Sequence, residues 1–319
     1  MASVYQKLPK AELHLHLEGS LTPETLLEIE PSLDAEEIRR RYRMRGAFEG
    51  FLATFVWTLG FLRGPQEYAL AARRLLERLA AENVLYAEIT LSAGAILRRK
   101  QDFGSIFRAV RREAEASALQ VRWILDAVRQ FGASEAMAVA ELAAAHRREG
   151  VVAFGIGGDE LAGPVEWFDR VFRYARREGL HLTVHAGETG GPDSVRRAIE
   201  LGAERIGHGV RAVEDPSLVR LLAERGIPLE ICLSSNAATG AVRDLAAHPL
   251  REFLRAGVPV TLNTDDPGLF GTTLSAEYEL AARVFGLGEA EIGQIAANAF
   301  RYAFDFRPPA RAGPGARRP

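Results

Sequence analysis

The sequence predicts an α/β protein: a single (β/α)8 barrel of the TIM type with a helical insertion after the first strand. Short runs rich in β-branched and apolar residues alternate with long segments in which Ala, Leu, Arg and Glu recur at helical spacing. This alternation repeats eight times, which is typical of a closed parallel barrel and leaves a doubly wound open sheet as the alternative. The predicted strands are residues 12–17, 84–91, 121–128, 151–157, 181–186, 205–210, 228–233 and 258–264.

Residues 1–306 are predicted to form this barrel as one domain. The connection over residues 18–83 is too long for a simple loop, and its aromatic residues recur at helical spacing. Such a stripe is core packing or the wall of a lid that excludes water from a bound substrate, and the two interpretations are compatible. The stripe consists of Phe48, Phe51, Phe55, Trp57 and Phe61. The Pro-, Gly- and Arg-rich tail over residues 307–319 is predicted to be disordered.

The composition argues against nucleic-acid and membrane partners. Of the 319 residues 26% are charged, yet the formal net charge of -2 leaves no excess of positive charge for a phosphate backbone. No apolar run approaches the roughly 18 residues of a membrane span, and the first ten residues lack the apolar region of a signal peptide. We therefore expect a cytoplasmic protein. The single cysteine, Cys232, stands in an apolar run and is interpreted as core.

Three histidines and an aspartate at predicted strand ends indicate a metal site. In the sequence ELHLHL, strand alternation sends His14 and His16 to the same face, where both can bind one ion. His185 ends the fifth strand and Asp265 follows the eighth. Three imidazoles and a carboxylate suit one zinc or a similar divalent ion, with a position left for water.

Further polar residues at the same end of the barrel could move protons. Glu188 follows His185 across Ala-Gly and could be the general acid and base, while His208 could orient a water or take its proton. Asp266 precedes Pro267, which favours an extended backbone, so its side chain should diverge from that of Asp265 and face the substrate.

The remaining histidines and the lysines narrow the interpretation. His146, His181 and His248 are interpreted as structural, because none stands at the expected end of a strand. Barrel hydrolases with two metals use a carboxylated lysine at a strand end, but the chain has only Lys7, Lys10 and Lys100. The sequence therefore favours a mononuclear site.

At these residues the chain resembles the adenosine deaminase family, within the amidohydrolase group of metal-dependent barrels. The similar segments extend from residue 9 to about residue 306 in the order typical of the family. They are PKAELHLHLEGSL at 9–21, GDE at 158–160, HAGE at 185–188, RIGHG at 205–209, LSSN at 233–236 and NTDDP at 263–267.

The resemblance implies a role for each candidate residue. Glu188 would protonate the purine ring nitrogen next to the amino-bearing carbon, and His208 would assist the attacking water. Asp266 and the backbone of Gly158 would bind the other ring nitrogens. The zinc ligands would be His14, His16, His185 and Asp265. The implied reaction is hydrolytic deamination, with water as the only cosubstrate and ammonia as a product.

The resemblance also bears on the substrate. Nucleoside-specific members usually carry Asp where this chain has Glu18, at the position that contacts the sugar. The segments 86–103 and 263–278 are most similar to the aminodeoxyfutalosine deaminase branch, which acts in menaquinone synthesis. The expected substrate is therefore aminodeoxyfutalosine, followed by adenosine and then adenine. A metal-binding barrel without turnover, and a barrel hydrolase of cyclic amides or phosphoesters, are the alternatives of other classes.

Overall fold

The computed structural model describes residues 4–43 and 48–308, and it shows the predicted barrel. Eight parallel strands pair in sequence order, each with its neighbour along the chain. Every predicted run overlaps one of these strands. β1 begins two residues and β3 one residue earlier than predicted, and β7 is shorter than predicted because Leu233 already begins a helix. The strands are β1 Lys10–His16, β2 Val84–Leu91, β3 Gln120–Val128, β4 Val151–Gly157, β5 His181–Ala186, β6 Arg205–His208, β7 Leu229–Ile231 and β8 Val260–Leu262.

Backbone hydrogen bonds between β1 and the chain that follows β8 close the barrel. The amide of His16 donates to the carbonyl of Asp265 at 2.8 Å, and the amide of Asp265 donates to the carbonyl of His14 at 3.0 Å. Deeper in the barrel, the side-chain oxygen of Asn263 accepts from the amide of Leu13 at 3.1 Å. Closure leaves no free sheet edge between β1 and β8.

Helices fill the connections between the strands, and α1 to α4 form the predicted insertion after β1. Standard caps set many of their ends; for example, the Asp215 carboxylate accepts the amide of Ser217 at 2.8 Å, where α10 begins. The helices are α1 Pro23–Ile29, α2 Ala35–Tyr42, α3 Phe48–Leu59, α4 Pro65–Ala81, α5 Ala93–Arg98, α6 Phe103–Ala116, α7 Ala133–Ala145, α8 Asp169–Arg177, α9 Pro192–Leu201, α10 Pro216–Arg225, α11 Leu233–Ala238, α12 Leu250–Arg255, α13 Pro267–Phe270, α14 Leu274–Phe285 and α15 Glu289–Arg301.

The strands are buried on both faces, as in other barrels covered by helices. Cys232 is wholly buried, in agreement with its interpretation as core. Within the described residues, no helix combines the length and the apolar character that a membrane span requires. Residues 309–319 of the tail, for which disorder was predicted, lie outside the described residues.

A buried arginine fills the end of the barrel opposite the predicted site. Arg205 is 1% exposed and donates to Glu88 and to Glu230, each at 2.5 Å. The chain after α15 covers this cluster. The centre of the Phe304 ring lies 3.6 Å from the guanidinium carbon of Arg205, and the backbone amide of Phe304 donates to Glu88 at 2.6 Å. Two buried carboxylates therefore share one buried counter-ion, which also donates to the carbonyl of Tyr302 at 3.0 Å.

We expect Arg205→Ala to lower the free energy of unfolding by about 3–5 kcal/mol, because it leaves two carboxylates buried without a counter-ion. Chemical denaturation measures this loss. The matched control is Arg73→Ala, which removes an exposed arginine paired with Glu113 and should cost far less. Equal decreases in the free energy of unfolding would show that the buried cluster contributes no more to stability than the exposed ion pair.

Candidate active site

Most of the predicted functional residues line one pocket at the carboxyl ends of the strands, whereas His14 and Glu18 are buried behind its lining. This central pocket joins polar groups from the strand ends to an aromatic wall from α3. It is lined by His16, Phe48, Phe51, Leu52, Phe55, Ser92, Asp126, Val128, Gln130, Gly157, Gly158, His185, Glu188, His208, Asp265 and Asp266.

The four predicted metal ligands converge at the floor of this pocket. The Nε2 atoms of His16 and His185 are 3.1 Å apart. One oxygen of Asp265, Oδ1, lies 3.3 Å from Nε2 of His14 and 3.3 Å from Nε2 of His16. Two ligands at about 2.1 Å from a tetrahedral ion stand about 3.4 Å apart, so the observed separations suit one ion.

Hydrogen bonds on the far side of two rings direct their lone pairs inward. Nδ1 of His14 donates to Glu230 at 2.8 Å, and Nδ1 of His185 donates to the carbonyl of Ile156 at 3.2 Å. In a neutral imidazole the other nitrogen then carries the lone pair that a metal requires. Nε2 of His14 is buried and has no hydrogen-bond partner among the described residues, which fits a position facing a cation.

The charges around the cluster favour a bound cation. Burial lowers the pKa of His14, but the nearby carboxylates of Asp265 and Glu230 outweigh burial and raise the pKa to about 10. Burial raises the pKa of Asp265, but the nearby rings of His14 and His16 hold it well below its usual range. An ionised carboxylate in a buried site thus stabilises positive charge among the imidazoles.

A second histidine set is also close enough to share an ion. Donor atoms of His14, His185, His208 and Asp265 all lie within 4.8 Å of one another, so proximity alone does not distinguish His208 from His16. His208 and Asp265 both have positive φ, 63° and 62°, a backbone conformation that residues other than glycine rarely adopt. Such strain is concentrated at functional sites, where the surrounding fold fixes it.

Glu188 faces the cluster from the loop after β5. Its Oε2 lies 3.7 Å from Nε2 of His208, and its Oε1 accepts from the hydroxyl of Thr239 at 3.1 Å. Burial and the charge of Asp265 raise the pKa of Glu188 to about 8. At neutral pH the carboxyl therefore holds a proton, as a general acid must.

Glu160 holds the loop that carries Glu188. Its carboxylate accepts from the amides of Gly187, Glu188 and Thr189 at 2.8–3.0 Å, and from the hydroxyl of Ser194 at 2.5 Å. Burial alone would raise the pKa of Glu160, but the buried guanidinium of Arg129 and these hydrogen bonds lower it below its usual value. In the sequence, Glu160 is only the last residue of the GDE segment, which does not indicate that it binds the loop of Glu188.

The predicted substrate contacts fall in two places. Asp266 and Gly158 line the central pocket, and Oδ1 of Asp266 is buried beside Gly19 without a hydrogen-bond partner among the described residues. Glu18 is wholly buried and does not line the pocket; its Oε1 accepts from the amide of Ser92, which does line it, at 3.0 Å. The structure thus places Glu18 behind the pocket wall.

Asp126 is a pocket residue that the sequence did not reveal. It stands in β3 and lines the pocket, and its Oδ1 is buried without a hydrogen-bond partner. Burial raises the pKa of Asp126 to about 6, although His16 lowers it. A lone aspartate in a strand carries no motif, so only the fold brings it to the site.

The aromatic stripe of the insertion divides between two surroundings. Phe48, Phe51 and Phe55 line the central pocket, and Phe51 stacks on Phe270 with ring centroids 5.2 Å apart. Trp57 and Phe61 pack against each other and against the core, and the guanidinium of Arg41 lies 4.6 Å from the Trp57 ring. The stripe is therefore both pocket wall and packing.

Two of the remaining histidines lie away from this pocket. His181, at the opposite end of the barrel, pairs with Glu204 and stacks on Phe304. His146 pairs with Glu149. Both fit the structural interpretation.

The sequence matches the family model described as adenosine deaminase over residues 9–309. The chain belongs to the adenosine deaminase family. One curated relative, the aminodeoxyfutalosine deaminase of Streptomyces coelicolor, is 40% identical over 311 residues, which cover 93% of this chain and 80% of that protein. This match confirms the predicted resemblance.

Solved structures show the same fold. An adenine deaminase from Arthrobacter aurescens gives a TM-score of 0.87 at 31% identity, over 93% of this chain and 94% of that chain. An amidohydrolase from Burkholderia ambifaria, solved with bound Zn, gives 0.86 at 27% identity, over 96% of this chain and 90% of that chain. With the family match and the histidine cluster, these relatives establish that this adenosine deaminase family member is a metal-dependent hydrolytic deaminase.

We expect Glu160→Gln to speed amide hydrogen exchange at residues 187–189 and to lower kcat by about tenfold or more. The variant loses the charge that holds three amides and opposes Arg129, so Glu188 loses its fixed position. The matched control is Glu141→Gln, at an exposed position on α7. Unchanged exchange in Glu160→Gln would contradict this role.

Proposed function

We propose that this chain is a mononuclear zinc aminohydrolase that removes the adenine amino group of aminodeoxyfutalosine in menaquinone synthesis. The single observation that carries the proposal is the convergence of His14, His16, His185, Asp265 and Glu188 at one buried site at the carboxyl ends of the strands. The 40% identity to an aminodeoxyfutalosine deaminase over most of the chain supports the choice of substrate.

The proposed ligands are His14, His16, His185 and Asp265. Their lone pairs and carboxylate oxygen face one another at separations of 3.1–3.3 Å, and nitrogen-rich sets of this kind favour zinc. When bound there, a divalent ion supplies Lewis acidity and lowers the pKa of a coordinated water toward neutrality.

Glu188 is the proposed proton donor of the reaction. Water adds to the carbon that bears the exocyclic amine, and Glu188 gives its proton to the neighbouring ring nitrogen. One proton of the water goes to the amine, which leaves as ammonia, and the other restores the proton of Glu188. The amine is thereby replaced by a carbonyl oxygen, and no other reactant is consumed. Thr239 keeps Glu188 turned toward the pocket, and His208 holds the attacking water.

Asp266 and Gly158 are proposed to bind the remaining ring nitrogens. Burial and the neighbouring Asp265 raise the pKa of Asp266 well above its usual range, so its carboxyl can donate a proton to a ring nitrogen. The free Oδ1 of Asp266 supports this role, because a buried oxygen without a partner is costly unless a ligand satisfies it.

The far part of the pocket favours a substrate larger than adenine. The rings of Phe48, Phe51 and Phe55 form an apolar wall, and Asp126 adds a free acceptor that could bind a hydroxyl group. Glu18 stays a predicted sugar-side residue, which would act through the loop of Ser92 that it holds. Adenosine is the second candidate and adenine the third; adenine is supported by the structural likeness to an adenine deaminase.

A parallel assay of ammonia release from aminodeoxyfutalosine, adenosine and adenine tests the substrate. We expect kcat/KM to be highest for aminodeoxyfutalosine, by about tenfold or more, because the chain is 40% identical to an aminodeoxyfutalosine deaminase. A higher value for adenosine or adenine would reassign the substrate. Zinc-loaded protein that deaminates none of the three would refute the proposed function.

Glu188→Gln is expected to keep about one zinc per chain and to lose about 10²- to 10⁴-fold in kcat, because it removes the acid but no proposed ligand. Metal analysis and steady-state kinetics on the same samples measure both quantities. Asp265→Asn is the matched amide substitution at a proposed ligand, and it should lose zinc as well as activity. A zinc content near two per chain, or an active Glu188→Gln, would contradict the assignment.

A further inference from the structure

A chain of buried hydrogen bonds runs from His208 away from the pocket. Nδ1 of His208 lies 3.0 Å from the side-chain nitrogen of Asn236, and the side-chain oxygen of Asn236 lies 3.1 Å from Nε2 of His248. The amide of Leu250, at the start of α12, donates to Nδ1 of His248 at 3.1 Å. His208, Asn236 and His248 are each at most 4% exposed, so water does not compete for these bonds.

The backbone amide of Leu250, the last group in this series of hydrogen bonds, fixes the direction of every hydrogen bond in the series. A backbone N–H can only donate, so Nδ1 of His248 is an acceptor and the proton of this neutral ring is on Nε2. Nε2–H then donates to the oxygen of Asn236, and the amide nitrogen of Asn236 donates to Nδ1 of His208. Rotating the Asn236 amide by 180° would set two donors against each other at His248.

His248 is suited to this neutral role. Burial, with a smaller contribution from His208, lowers its pKa to about 3. Its ring packs against Phe285 in an edge-on contact at 6.1 Å. Asn236 is held by α11, where its amide donates to the carbonyl of Cys232 at 2.8 Å. Both residues are thus fixed by rigid elements of the fold rather than by the pocket.

We propose that Asn236 and His248 are positioning residues that hold His208 in the tautomer with its proton on Nε2. That nitrogen faces the pocket, 3.7 Å from Oε2 of Glu188 and 4.0 Å from Oδ2 of Asp265. A protonated Nε2 has no lone pair for a metal and cannot accept a proton, whereas it can donate a hydrogen bond to the reacting oxygen.

The proposal rests on the proposed function for the role of His208, and it resolves two choices that were left open. Of the two histidine sets near Asp265, the one with His208 would include a ring whose pocket-facing nitrogen has no lone pair, so the set with His16 is favoured. Of the two roles expected for His208, orienting the water is retained and taking its proton is excluded. His248, which sequence reasoning treated as structural, acts on the site through Asn236.

Nitrogen NMR of the full-length protein with 15N-labelled histidine tests the tautomer directly, because protonated and bare imidazole nitrogens resonate far apart. We expect His208 to show a bare Nδ1 and a protonated Nε2, in the metal-free and the zinc-loaded protein alike. A protonated Nδ1, or an Nε2 bound to zinc, would overturn the proposal. The wild-type spectrum decides this even if no variant folds.

Asn236→Asp should reverse the pattern, since a carboxylate can only accept and Nδ1 of His208 must then carry a proton. We expect kcat to fall by about 10²-fold or more, with a smaller change in KM. Asn298→Asp is the matched control, because Asn298 is a buried asparagine that bonds to Val260 and the helix α15, outside the site. An unprotonated Nδ1 of His208 in Asn236→Asp would contradict the proposed role of Asn236.

His248→Gln tests the role of His248, which reaches His208 only through Asn236. The side-chain amide of glutamine can donate to Asn236 as Nε2 of His248 does. The His248→Gln variant should therefore keep the wild-type nitrogen signals of His208, whereas His248→Leu should not. Equal spectra for the two variants would exclude His248 from the relay. These spectra do not depend on turnover, so they remain decisive if the proposed deamination fails, and a failed relay leaves the deamination assay valid.

Discussion

The two backbone hydrogen bonds between Asp265 and the His14–His16 segment are the constraint on which the rest of the structure depends. They close the barrel between its first and last strands, and they also place the Asp265 carboxylate beside two imidazoles. The left-handed backbone of Asp265 gives this turn. Because closure and site assembly use the same residues, a correctly closed barrel already contains the greater part of the cluster.

Buried charged groups link one end of the barrel to the other. At the end opposite the pocket, Arg205 is the shared counter-ion of Glu88 and Glu230, and Glu230 in turn accepts a hydrogen bond from Nδ1 of His14. A cation at one end of the barrel thus supports the orientation of a ligand toward the other end. Without Arg205, the carboxylate that orients His14 would be far more costly to bury.

The sequence was sufficient for those features that depend on local order. Strand alternation placed His14 and His16 on one face, and the eightfold repeat predicted the barrel. It could not reveal Asp126, Glu230 or Asn236, because these single residues acquire a role only when distant strands meet. His248 was interpreted as structural for the same reason: its partner Asn236 is brought to it by the chain after β7. The exact depth of Glu18 behind the pocket likewise depends on the loop of Ser92.

Anomalous diffraction at the zinc edge, from crystals of the loaded protein, tests the central claim most directly, because it locates each ion and its ligands. We expect one ion per chain, bound by His14, His16, His185 and Asp265, with the ring of His208 hydrogen-bonded nearby but not coordinated. Coordination by His208 in place of His16, or a second ion in the pocket, would contradict the account.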